Sequence, residues 1–504
     1  MRASKYGHLE RKVFNSCSNF VIKVNIKNTT MKNRVLLKTA FALCLFLLLA
    51  CSSNGPSQEE QIEENPETPE NPTDTGITPP DNFDYIFAKK PTDGKAIYTP
   101  IELKDNDFDS NDSKWSYQRS ASSDNVIVFW EKGFGQYPSQ TSRLNLRVDI
   151  NNLLKMAEEF YVYYRDVMKF VIKGNSKTDD YRMIIQLFYQ EEWLATGAGY
   201  DNIIGALWVS PATTKGGAVI AHEFGHSFQY QVHCDGNYGF RDQPYVGSFW
   251  EQCAQFMSWQ QNNDDYVGEL PYLLDNIHKN FSHEDIRYQS MYLQEYWKEK
   301  HGVDFLGKLW RGALTPEHPI QAYKRITEIS QEKFNDEVFE YASKNITWDY
   351  PLGIYNRDYI KNLSASDYIN YKHATTLESI ADEYYQISSN QSPQPYGYNA
   401  IELSVPVAGT TVSVDFVGLD GGYANVEGWR YGFVAVKEDN TPVYGTMEKT
   451  KEGIASITIP TSTKTLWFIV TGAPTEHVNH IWDDISTNDQ NFPYKVKFTN
   501  TAIE

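Results

Sequence analysis

The sequence predicts an α+β protein: a mixed sheet with helices first, then an all-β sandwich at the carboxy terminus. Two patterns carry that expectation. Between residues 126 and 230, short apolar runs of strand length alternate with longer stretches of helical period. From about residue 361, helical period gives way to alternating strands broken by Gly, Asn, Asp and Pro. Length agrees, because 504 residues that are 41 % hydrophobic can bury two or more cores. The expected division is 81–360 for the mixed region and 361–504 for the sandwich.

The amino terminus reads as a targeting segment. Met31-Lys32-Asn33-Arg34 with Lys38 is a basic stretch, and Thr39 to Ala50 is an apolar run too short to span a bilayer comfortably. The run ends in Leu48-Leu49-Ala50-Cys51, which resembles the lipobox of bacterial lipoproteins. That resemblance implies removal of 31–50 as a signal peptide, a lipid on Cys51, and a place in the cell envelope, on the periplasmic or outer face of an outer membrane. Residues 1–30 then form an upstream extension; an uncleaved membrane anchor is the alternative. Ser52 to Pro80 has seven acidic and no basic residues, a composition too poor in apolar groups to fold, so 51–80 is expected to be a disordered tether. The chain's formal charge of −19 includes +8 from its first fifty residues, which leaves −27 from Cys51 onward. Nucleic acid is a poor partner for that balance.

The mixed region follows in order. Val126 to Trp130 is a strand, Asp149 to about Phe170 an amphipathic helix, Met183 to Phe188 a strand, and Ile203 to Val209 a third, expected at the sheet edge beside a cleft unless it is an ordinary interior strand. Ser210-Pro211 turns the chain into a helix over about Thr214 to Tyr230. Within that helix lies Ala221-His222-Glu223-Phe224-Gly225-His226, a HExxH set. Helical spacing puts His222 and His226 on one face, able to bind one zinc ion, with Glu223 beside a zinc-bound water as general base. Two satisfied core histidines are the plain alternative, which leaves Glu223 without a purpose.

A catalytic zinc needs a third protein ligand. The HExxHxxGxxH pattern of metzincins is absent, since Gln229 and Val232 occupy its Gly and third His positions. Separated from His226 by twenty-four residues, Glu251 lies in the first turn of an expected helix, Gly247 to Met257. Here the chain resembles gluzincins, in which a Glu on a second helix completes the zinc site; Trp250-Glu251-x-x-Ala254 is similar to their Asn-Glu-Gly-x-Ala helix, departing at Trp250 and Gln252. The resemblance covers roughly residues 110–350 and implies a zincin-like fold with a helical lower lobe. It also implies a zinc ion on His222, His226 and Glu251. Ser248-x-x-Glu251 is equally a capping box, and Asp235, His233 and Glu269 are rival ligands. Thermolysin-like members have an Asp four residues after the ligand Glu, where this chain has Gln255; its carbonyl can accept the same His N–H.

Residues 286–346 read as mostly helical, for instance Tyr288 to Lys300 and Ser330 to Lys344. Gluzincins often place a Tyr or His there to stabilise an oxyanion, and Tyr288, Tyr292, His278 and His283 are candidates. Cys234 and Cys253 flank the loop between the two ligand helices, either bridged or as free thiols. The sandwich strands are expected at Ala400–Pro406, Thr410–Val417, Trp429–Val436, Ile454–Pro460, Thr465–Thr471 and Tyr494–Phe498. Tyr423, Trp429 and Trp482 are aromatics that would either pack in its core or hold a glycan. The expected activity is zinc-dependent hydrolysis of peptide bonds in extracytoplasmic proteins or glycoproteins. The alternative from another class is a non-catalytic glycan-binding or adhesion lipoprotein on the same scaffold. Retained Glu223 weighs against it, because a binder has no need of a general base. The sequence does not indicate an oligomeric state.

Overall fold

In the computed structural model of the protein, residues 85–241, 247–423, 425–483 and 485–504 are described. The extension, signal peptide, tether and Cys51 lie outside those residues. The fold is α+β with a β-rich carboxy-terminal region. Its first sheet has six strands in the order Ile86–Phe87, Ser120–Ser122, Val126–Trp130, Met183–Leu187, Ile204–Val209, Ala195–Tyr200. The three central strands run parallel, and the last pairs antiparallel with Ile204–Val209. Parallel strands are covered on both faces, which is why they read as near-continuous apolar runs, interrupted in Met183–Leu187 by Gln186, which accepts from the Tyr200 hydroxyl.

Ile204–Val209 is therefore an interior strand, and the expectation that it forms the sheet edge is corrected. The edge strand is Ala195–Tyr200. Its sequence, Ala-Thr-Gly-Ala-Gly-Tyr, is mostly small residues, with Thr196 its one β-branched side chain. The reason is packing: a Cβ on Gly197 would stand 1.9 Å from the backbone oxygen of Glu223. The strand crosses directly over the HExxH helix, and only a residue without a side chain fits there.

That helix runs Gly217–Cys234, later at both ends than expected. The amphipathic helix Ile150–Val162 is capped by Asp149, whose carboxylate accepts from Asn152 N–H, and it continues as a π-helical turn over Tyr163–Val167. Gly247–Trp259 is the second expected helix. Tyr292–His301 and Gln331–Asn345 are the two expected farther on, the first beginning four residues late because 284–291 is a short 3₁₀ turn and loop.

All six strands expected after residue 361 form, joined by the short strands Leu377–Ser379, Tyr385–Ile387 and Pro442–Tyr444. They make two antiparallel sheets, one of five strands and one of four. Val412, Val414, Phe416 and Val496 of the first meet Tyr431, Phe433, Phe468 and Val470 of the second in one core. The opposite face of the four-stranded sheet, with Tyr398, Ala400, Val434, Trp467 and Ile469, joins the core of the helical region. Buried on both faces, Trp429–Lys437 is apolar except for Arg430, which pairs with Asp336, and the terminal Lys437, whereas Thr411–Gly418 alternates. All described residues belong to one compact unit. Among them, no helix is long and apolar enough to cross a membrane.

Candidate metal centre

The HExxH helix is fixed to its surroundings by polar side chains. Ser227 Oγ donates to the Ala206 carbonyl at 2.9 Å, Tyr164 to that of Ala221 at 3.0 Å, and Ser258 to that of Ala218 at 2.8 Å. His222 and His226 are buried, their rings 4.6 Å apart and nearly perpendicular. A Cβ on Gly225 would be 3.3 Å from Ala254 Cα, so the Gly and Ala allow the two ligand helices to approach closely. That approach brings Glu251 Oε2 to 3.1 Å from His222 Nε2 and 3.2 Å from His226 Nε2. Ser248 Oγ, the other half of the capping-box alternative, has no hydrogen-bond partner among the described residues. The Glu251 carboxylate faces the two imidazoles.

Two glutamines set the rings. Gln255 Nε2 donates to the Tyr288 carbonyl (3.0 Å) and turns Oε1 to His222 Nδ1 (2.7 Å). Gln229 Nε2 donates to the Trp250 carbonyl (3.0 Å) and turns Oε1 to His226 Nδ1 (2.8 Å). A carbonyl only accepts, so each amide nitrogen must face the backbone and each amide oxygen the ring. Nδ1 therefore carries a proton on both rings, and in the neutral form Nε2 is the bare nitrogen turned toward Glu251. Gln229 was not marked by sequence reasoning. Its only signal is its place one turn after His226.

Burial opposes charge on both partners, yet their mutual hydrogen bond and attraction prevail. His226 is pushed up to about 9, and Glu251 is held well below the usual carboxylate range. Two imidazole nitrogens and a carboxylate oxygen, all within 4.8 Å of one another, are a donor set suited to zinc. Glu223 is buried beside them, its charge felt by His226 and Tyr288. The Tyr288 ring lies 6.1 Å from that of His222, and burial followed by the Glu251 charge raises its hydroxyl pKa.

The rivals are elsewhere. Asp235 accepts from Lys177 N–H and Gln231 at the helix end, His233 meets Arg241, and Glu269 is exposed and accepts from Gln289. Tyr292 is packed in the core against Asn356, His278 is buried with its carbonyl bound by Gln394 N–H, and His283 faces His480. Cys234 and Cys253 are unbridged buried thiols, and Trp310 donates to Cys253 Sγ at 3.1 Å. Trp429 is in the sandwich core, Tyr423 is half-buried against it, and Trp482 lies against Arg287.

Residues 89–504 match the model of a family of unknown function, DUF6055, and the chain belongs to that family. No curated protein matches the chain.

Proposed function

We propose that the chain is a zinc-dependent peptidase acting on extracytoplasmic proteins or glycoproteins, tethered to the envelope through lipidated Cys51. The observation that carries this reading is the convergence of His222 Nε2, His226 Nε2 and Glu251 Oε2 beside buried Glu223, with both rings held by glutamines. The resemblance to gluzincins supports the same assignment. Zinc bound there supplies Lewis acidity and lowers the pKa of water at the site. Glu223 takes the proton of the attacking water and delivers it to the leaving amine. Its carboxylate is free for that role, since no hydrogen bond to it is formed among the described residues. Tyr288 is the residue suited to donate to the oxygen of the scissile carbonyl. The outer edge of Ala195–Tyr200 carries no further strand among the described residues, and a face of the strand packs on the HExxH helix, so an extended substrate backbone can add at that edge.

Glu223→Gln tests the mechanism, because it keeps volume and both imidazoles but cannot take a proton. Zinc content should persist while peptide turnover falls by roughly 10²–10⁴-fold. A Gln variant as active as the wild type would remove Glu223 from the mechanism.

A further inference from the structure

A second group of metal-binding side chains lies where the helical region meets the sandwich. His283 precedes a short 3₁₀ turn of the helical region, whereas His480 and Asp489 come from the loop between strands Thr463–Gly472 and Tyr494–Thr499. We propose that His283, His480 and Asp489 form a second, structural zinc site, with Glu284 orienting His480. His283 Nε2 is 3.5 Å from Asp489 Oδ2, and His480 Nδ1 is 3.9 Å from Asp489 Oδ1. The two rings stack at 4.6 Å. One ligand atom from each of the three residues falls within 4.8 Å of the others.

Two features beyond proximity favour a cation. The side chains of Glu284 and Asp489 are only 4 % and 10 % exposed, and among the described residues their ion-pair partners are the two imidazoles alone. Two carboxylates so buried, with no Lys or Arg ion-paired to either and the nearby Lys279 engaged by Asp285, need a positive charge between them. Further, His480 Nε2 is 2.7 Å from Glu284 Oε2. Donating there fixes the neutral ring with its bare Nδ1 toward Asp489, the carboxylate–histidine arrangement that orients zinc ligands. Imidazole donors with a carboxylate suit zinc rather than calcium or magnesium. Against loading, Asp285 N–H donates to His283 Nδ1 at 3.1 Å, a contact that a metal-bound His283 protonated on Nδ1 gives up. The junction site is accordingly the weaker of the two centres.

Its position gives it a purpose. In the same loop, the Trp482 ring lies 5.3 Å from the Arg287 guanidinium, which is 4.9 Å from the Tyr288 ring beside His222. An ion at His283, His480 and Asp489 fastens the sandwich loop to the segment that carries Tyr288.

The test is zinc per chain, measured by elemental mass spectrometry on the full chain after equilibration with zinc and removal of the excess. Two zinc ions are expected for the wild type and one for Asp489→Asn. His226→Ala should also retain one, and zinc should still raise its melting temperature. Folding of each variant is checked by circular dichroism, with His480→Gln as a second junction variant. A single zinc that Asp489→Asn and His480→Gln keep but His226→Ala loses overturns the junction site and leaves the first centre standing. The reverse pattern keeps the junction site and removes the first. Two zinc ions retained in both junction variants overturn the assignment as well.

Discussion

Gln255 and Gln229 each bind one imidazole of the candidate metal centre at Nδ1 and a backbone carbonyl at the other end. Replacing either with Leu frees the ring to rotate and strands its Nδ1–H. Zinc affinity should fall about 10–100-fold per substitution, read by titration against a chelator of known affinity. An unchanged dissociation constant in both variants would reduce the glutamines to packing. At this scale the sequence was informative where chemistry and period coincide. His222, Glu223 and His226 declare themselves because helical spacing alone aligns them. Glu251 followed from a second short motif, and the structure places its carboxylate at both imidazoles. Gln229 and the pairing of His283 with His480 were not legible. Glutamine is no metal ligand, and nearly two hundred residues separate His283 from His480, so only the tertiary fold makes them neighbours.

The edge strand shows what elements conceal. Ala195–Tyr200 is a strand by its ladder to Ile204–Val209, not by its residues. Close packing on the HExxH helix demanded small side chains there and removed the apolar signal by which strands are recognised. Gly197→Val forces a side chain into the Glu223 carbonyl. It should destabilise the protein by about 1–3 kcal/mol and lower the melting temperature, and the displaced helix should also cost zinc affinity. A Val variant with wild-type stability and zinc binding would contradict the close contact. By contrast, Gln331–Asn345 and the strands Thr411–Gly418 and Glu452–Thr458 were readable, since their faces alternate with the period of the element that carries them.

For the whole molecule, the seam between helical region and sandwich is the feature that composition hides. His373 is buried there among Trp348, Tyr398 and Trp467, and His278 sits beside the loop that ends in Tyr398. Burial pushes each imidazole down to about 4. The unfolded chain takes up these protons near pH 6.5 and the folded chain only near pH 4, so stability is full above 6.5 and lost as pH falls toward 4. Each group contributes on the order of 3 kcal/mol at full titration. Denaturation midpoints should therefore drop between pH 7 and 4.5, and less so in His373→Leu. An equal drop in that variant would take His373 out of the explanation.

At the same scale stands the claim that this molecule hydrolyses peptide bonds with zinc. The most direct measurement is an unbiased peptide and glycopeptide library digest, read by mass spectrometry, with the protein zinc-loaded, chelator-stripped and then reloaded. Cleavage is expected in the first sample, absent in the second and restored in the third. No cleavage by the zinc-loaded protein, or cleavage indifferent to the chelator, would contradict a zinc peptidase.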